Sequence, residues 1–166
     1  IESPKGLDYV ARDFVKRDNL RLVAACGDLY VEVDRPHHTP QALRLIVEKD
    51  PQACAASRMM LSLMRSPIPA KAKLPEPLIR DLEKRQVPDL ADFLQVAWLL
   101  DAGYRTLMLC DGLCLMEDKL GKAISALDAF RQEYVPAAHP APALATAPTK
   151  VQERGMKGLL RSIFSP

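Results

Sequence analysis

Between residues 20 and 60 the chain sets an apolar run, Leu20-Arg21-Leu22-Val23-Ala24-Ala25, directly against Gly27-Asp28, then adds a helix and a second short apolar run. No other stretch restricts the fold as tightly. A buried strand that runs into a glycine and an aspartate exposes backbone amides and one carboxylate at its C-terminal end, and parallel β/α architectures keep their chemistry at that end.

The flanking sequence extends the pattern. Residues 8–15, DYVARDFV, mix aromatic and β-branched residues at strand length and predict a strand, as do residues 20–25. Thr39-Pro40 reads as an N-cap and first helical residue, with Ala42, Leu43, Leu45, Ile46 and Val47 forming an apolar stripe that stops at Asp50-Pro51. A short strand is expected over residues 51–56 and a helix over 57–65, with Met59, Met60, Leu63 and Met64 on one face. Residues 71–86 contain a charged amphipathic helix marked by Leu78, Ile79 and Leu82. Pro88-Asp89 opens a more apolar helix that Gly103 closes, residues 105–110 predict a buried strand, and residues 116–134 a long helix with Leu120, Ile124, Leu127 and Phe130 inward. Alternating strands and helices predict an α/β fold with a parallel sheet or barrel.

At 166 residues, 48% apolar and 27% charged, the chain can bury one core, and residues 1–135 are read as one β/α domain. A formal charge of +2 gives no basic excess of the kind a nucleic-acid surface needs. Cys26, Cys54, Cys110 and Cys114 lie in or beside apolar runs rather than at the spacings of a secreted disulfide framework, which points to a reducing, cytoplasmic setting. No run reaches the ~20 apolar residues that span a bilayer, and the start lacks a signal-peptide pattern and an initiator Met, so residues upstream of Ile1 are allowed for. Cys110 and Cys114 read as core residues rather than zinc ligands, His37-His38 as a solvated loop, and the methionines as packing. Residues 136–149 form an alanine- and proline-rich linker. Beyond it, Met156, Leu159, Leu160, Ile163 and Phe164 fall at helical spacing among Lys150, Arg154, Lys157 and Arg161. This detached basic amphipathic helix, residues 150–166, fits a protein partner or a membrane surface, so the chain is also expected to sit peripherally at a membrane.

The blocks Ala25-Cys26-Gly27-Asp28-Leu29-Tyr30-Val31-Glu32 and Ala56-Ser57-Arg58-Met59-Met60-Leu61-Ser62-Leu63 resemble the pyruvate kinase family, which writes them roughly as ARGDLGVE and ATQMLESM. Residues 6–15 are similar to the family's strand near DFVAVSFV, and Asp89-Leu90-Ala91-Asp92, Asp101-Ala102-Gly103 and Leu107-Met108-Leu109 look like its SDVANAVLDGADCVML. The resemblance implies the last strands of a (β/α)8 TIM barrel, partial here or completed elsewhere by upstream sequence or a partner chain in a homo-oligomer. It implies that Asp28 is the metal-binding carboxylate, for Mg²⁺. Ala25, Cys26 and Gly27 would then be backbone around a substrate carboxylate, and Ser57 would stand for the threonine whose hydroxyl faces phosphoenolpyruvate.

The chain departs from the family where phosphoryl transfer needs positive charge. The family's Lys-Ile-Glu motif, lysine plus second metal carboxylate, is not found between residues 15 and 20, its arginine before the glycine is Cys26, and its SGETA is Cys110-Asp111-Gly112-Leu113-Cys114. Losing such groups costs orders of magnitude in rate. The expectation is therefore a catalytically degenerate module, without assigned catalytic residues, that binds a small carboxylate or phosphate or acts as a regulatory or scaffold element. The alternative is a Mg²⁺-dependent phosphoenolpyruvate/pyruvate phosphotransferase whose missing catalytic strand lies outside the chain.

Overall fold

The computed structural model describes residues 1–69 and 71–136. The linker beyond residue 136 and the tail helix expected over residues 150–166 lie outside the described residues. The chain is mixed α/β and forms two compact units, Ile1–Ser57 with Leu99–Met108, and Arg58–Trp98 with Leu109–Val135.

The first unit is built on a parallel sheet of three strands, β1 (Val23–Ala25), β2 (Cys54–Ala56) and β3 (Thr106–Met108), in the order β1-β2-β3. The register pairs Val23 with Cys54 and Thr106, Ala24 with Ala55 and Leu107, and Ala25 with Ala56 and Met108. Helix α1 (Pro4–Arg12) opens the chain, α2 (Cys26–Glu32) follows β1 without a break, and α3 (Thr39–Lys49) connects to β2. α3 buries Ala42, Leu43, Leu45, Ile46 and Val47, and Asp50 ends it as expected.

Residues 8–15 do not form the strand that their composition and their similarity to a family strand suggest; residues 4–12 are helical. Ser3 accepts a hydrogen bond from the Gly6 amide at 3.3 Å, Pro4 supplies a helix-ready φ, and Leu7 and Val10 fall one turn apart on the buried face. Helix capping and a 3–4 residue apolar spacing outrank β propensity in this segment.

In its place a single residue extends the sheet. The Ile1 amino group donates to the Val23 carbonyl, and the Ala25 amide donates to the Ile1 carbonyl at 2.9 Å. That is the bond pattern of a parallel bridge between Ile1 and Ala24. Ile1 thus lies beside β1, and α1 connects the two.

In the second unit, α4 (Glu76–Arg85), α5 from Leu90 and α7 (Glu117–Glu133) stand close to expectation, α5 runs on to Ala102, and a short helix that was not expected, α6 (Asp111–Cys114), precedes α7. Asp89 caps α5 by accepting from the Asp92 amide at 3.0 Å. The Ser62 hydroxyl accepts from the Asp89 amide at 3.0 Å and donates to the buried Asp92 carboxylate, fastening the 3-10 turn Leu61–Met64 to that cap. Phe93, Phe130 and Tyr134 stack in series, with ring centroids 5.4 Å and 4.9 Å apart. Ile124, expected inward, is exposed, while Ala123 is buried.

Residues 57–65 do not form the expected helix either. Ser57, Arg58 and Met60 take left-handed φ of 65°, 66° and 59°, and only the 3-10 turn follows. Met59, Met60 and Leu63 are fully buried, so the reversal serves packing that a straight helix would not give.

Candidate functional site

The register sets the end of β1 beside the end of β2, because Ala25 pairs with Ala56. The residues that follow, Cys26 and Ser57, therefore leave the sheet at the same end. This brings the expected site residues Ala25, Cys26, Gly27 and Ser57 to one edge of the first unit.

Their environments differ. Ala25 and Gly27 are half-buried, Cys26 is buried with its Sγ 3.5 Å from the Ala24 carbonyl, and Asp28 is exposed. Gly27 and Asp28 do not form a turn after the strand. They lie in the first turn of α2, with Asp28 as its acidic residue, where a carboxylate favours the helix dipole. Ser57 does not cap a helix. Its amide donates to the Met108 carbonyl at 3.0 Å, which extends the β2–β3 ladder by one bond, and its φ of 65° turns the chain immediately afterwards. Left-handed backbone at non-glycine residues costs energy that the surrounding packing must supply, and such positions cluster at functional sites.

Glu2 belongs to this end as well. Ile1 pairs with Ala24, so Glu2 continues alongside Ala25, and its side chain is exposed. Sequence reasoning missed it because one residue carries no periodicity; the Ile-Glu pair was the only signal.

The opposite end of the same sheet is closed. Asp50, fully buried, accepts from the Leu22 amide at 2.7 Å and the Gln52 amide at 3.0 Å, and pairs with Lys16 at 2.8 Å. Lys16 also donates to the Leu20 carbonyl at 2.7 Å. Burial pushes the Asp50 carboxyl up, but the lysine and the two amides outweigh it and hold it below the usual carboxylate range. Nearby, Tyr104 is fully buried and donates to the Leu43 carbonyl at 2.8 Å. Burial, then the neighbouring Cys26 and Cys54 thiols, push its hydroxyl far above the usual tyrosine range. Burial also raises the Cys54 thiol. These groups are bonded or buried and serve structure.

His38, expected in a solvated loop, is buried at the start of α3, where it occupies the N-cap position assigned by sequence to Thr39; His37 beside it is exposed. Cys110 is half-buried with its Sγ 3.5 Å from the Met64 thioether, and Cys114 is exposed. No cluster of three or more metal-ligating side chains occurs among the described residues. Nor is any helix among them long and apolar enough to cross a membrane.

Comparison with protein-family models, with curated proteins and with solved structures finds no match for the chain.

Proposed function

We propose that the first unit is a segment of a pyruvate-kinase-like (β/α)8 barrel, and that the ends of β1 and β2 bind a small carboxylate- or phosphate-bearing ligand, in a module whose catalytic equipment is degenerate. The observation that carries this reading is the convergence of Gly27-Asp28 and Ser57 at the C-terminal end of consecutive parallel strands. A sequential, all-parallel order is the order that a singly wound barrel segment requires. Ala25, Cys26 and Gly27 would present backbone to the ligand, and Ser57 its hydroxyl. Localisation in the cytoplasm, with residues 150–164 contacting a partner or membrane surface, belongs to the same proposal.

Mg²⁺ fits the residues present. It keeps several waters and needs only one or two carboxylates plus ligand oxygens, and Asp28, in the first turn of α2, and Glu2, next to the Ile1 bridge, are exposed carboxylates. When bound, the ion would supply positive charge to ligand oxygens; the chain's own part is to hold it with Asp28 and to orient the ligand with the 25–27 backbone.

The phosphotransferase alternative gains from Ile1. The family's Lys-Ile-Glu strand stands immediately before its GDLG strand, and under this reading Ile1-Glu2, bonded beside β1, would correspond to it. Glu2 would then be the second metal carboxylate, and the residue preceding Ile1 the position of the lysine.

Titration of phosphoenolpyruvate in the presence of Mn²⁺ tests both readings. The wild-type chain should bind, Asp28→Ala should weaken binding at least about tenfold, or ~1.4 kcal/mol, and Glu2→Gln should weaken it if the second reading holds. Equal, negligible binding by wild type and Asp28→Ala would remove the ligand site.

A further inference from the structure

We propose that Met64, Cys110 and Cys114 form a three-sulfur site for a soft monovalent metal ion, Cu(I), on the second unit. The proposal is independent of the barrel assignment and of its ligand.

The three side chains belong to one unit, Met64 from the 3-10 turn Leu61–Met64 and the two cysteines from the ends of the segment that contains α6. Cys110 precedes α6 as its N-cap and Cys114 ends it, and the Cys114 amide donates to the Cys110 carbonyl at 3.1 Å, which closes one helical turn between them. Side chains four residues apart on such a turn lie on one side, with Cβ atoms about 5–6 Å apart. Each thiol extends one bond further, so the two sulfurs can close on a shared ion. Met64 lies across the same turn. Its Sδ is 3.5 Å from the Cys110 Sγ, and a Cβ added at Gly112, midway between the cysteines, would meet the Met64 methyl at 2.7 Å and the Sδ at 3.9 Å. Glycine at this position leaves the room that the thioether occupies.

The sulfur spacing is that of ligands. Two sulfurs bound to one ion at about 2.3 Å, with an angle of about 100–120° at the metal, stand about 3.5–4 Å apart. Cys110 and Met64 already stand at this separation. Cys114, expected in the core, is exposed and can turn toward them between staggered rotamers. Cys110 and Met64 are half-buried, so an ion can enter, whereas Cys26 and Cys54 are buried in the first unit.

The donor set selects the metal. Thiolates and thioethers are soft ligands and favour Cu(I), whose filled d shell accepts three of them in a plane. Zinc takes cysteine, histidine and carboxylate, usually four such groups, yet no three His, Cys, Asp or Glu side chains converge among the described residues, and Met64 is the third donor here. Binding one Cu⁺ releases the two thiol protons to solvent; copper stays in the +1 state, so no oxidant or reductant takes part.

Competition with bicinchoninate tests the site. The full chain, reduced and anaerobic, titrated into Cu(I) held by bicinchoninate should withdraw one Cu(I) per chain, and X-ray absorption at the copper edge should show sulfur neighbours alone at about 2.3 Å. Cys110→Ser and Cys114→Ser should each weaken binding at least about 100-fold, more than loss of an outer-shell partner costs. Met64→Leu, which keeps the bulk of the side chain, should weaken it about tenfold, because the thioether is the weaker ligand. Far-UV circular dichroism follows folding, and should Cys110→Ser unfold, Cys114→Ser at its exposed position carries the same test. No withdrawal by the wild type, withdrawal that survives either cysteine substitution, an affinity that Met64→Leu leaves unchanged, or nitrogen or oxygen neighbours on the copper would overturn the site.

Discussion

The two ends of the same three-stranded sheet are built on opposite rules. At the N-terminal end a carboxylate is fully buried and paired: Asp50 meets Lys16 and two backbone amides. At the C-terminal end Asp28 and Glu2 face solvent, and the chain leaves β2 through left-handed residues. A buried, fully bonded carboxylate contributes to folding, and its removal strands its partners. An exposed one in the first turn of a helix contributes only a fraction of that to folding. The same residue type is buried and bonded at one end of a small sheet and exposed at the other.

Substitutions should separate the two ends most sharply at Asp50. Asp50→Ala leaves the Lys16 ammonium and the Leu22 and Gln52 amides without their acceptor and should cost about 3 kcal/mol in urea unfolding; a loss under about 1 kcal/mol would break the contrast. Gly103 follows as the next largest effect. Its φ of 114° is open only to glycine, whereas an added Cβ would meet Val47 at an ordinary 3.5 Å, so Gly103→Ala should cost about 1–2 kcal/mol through the backbone alone. Tyr104→Phe removes the hydroxyl that bonds the Leu43 carbonyl and should cost about 1 kcal/mol. Asp28→Ala should change stability by less than about 0.5 kcal/mol while weakening Mn²⁺-dependent ligand binding. Stability lost at Asp28 in the amount expected for Asp50 would make the two ends alike.

The pH dependence sharpens the same comparison. The folded state holds the Asp50 carboxyl below its ordinary value of about 3.9. The unfolded chain therefore takes up the proton first, so the stabilisation is present above about pH 4 and is lost as pH falls through the lowered folded value. Asp50→Asn should flatten the acid limb of a stability-against-pH curve, measured by urea midpoints between pH 3 and pH 6.

Legibility in the sequence followed the kind of signal. α3 was readable from Pro40, its apolar stripe and the Asp50-Pro51 stop, and α5 from the Asp89 cap and Gly103, because caps and stripes are local. α1 was mistaken for a strand because Tyr9, Val10, Phe14 and Val15 weigh toward β by propensity, while Ser3-Pro4 and the spacing of Leu7 and Val10 decide for a helix. The left-handed residues 57, 58 and 60 carry no glycine or asparagine to announce them; burying Met59 and Met60 imposes their conformation from outside the segment. β3 was expected to be buried from its apolar letters, yet Thr106 and Met108 are exposed, since burial depends on what covers the sheet and not on the strand alone. Of the candidate site, Asp28 and Ser57 could be named through the family resemblance of the blocks that hold them. Glu2 could not, because its place beside β1 depends on one long-range bridge.

Amide chemical-shift mapping during addition of phosphoenolpyruvate and Mg²⁺ tests the central assignment most directly. The account predicts shifts at Ala25, Cys26, Gly27, Asp28 and Ser57, with Leu22 and Gln52 at the closed end unmoved. Shifts confined to Leu22 and Gln52, or none at the five residues at ligand excess, would contradict it.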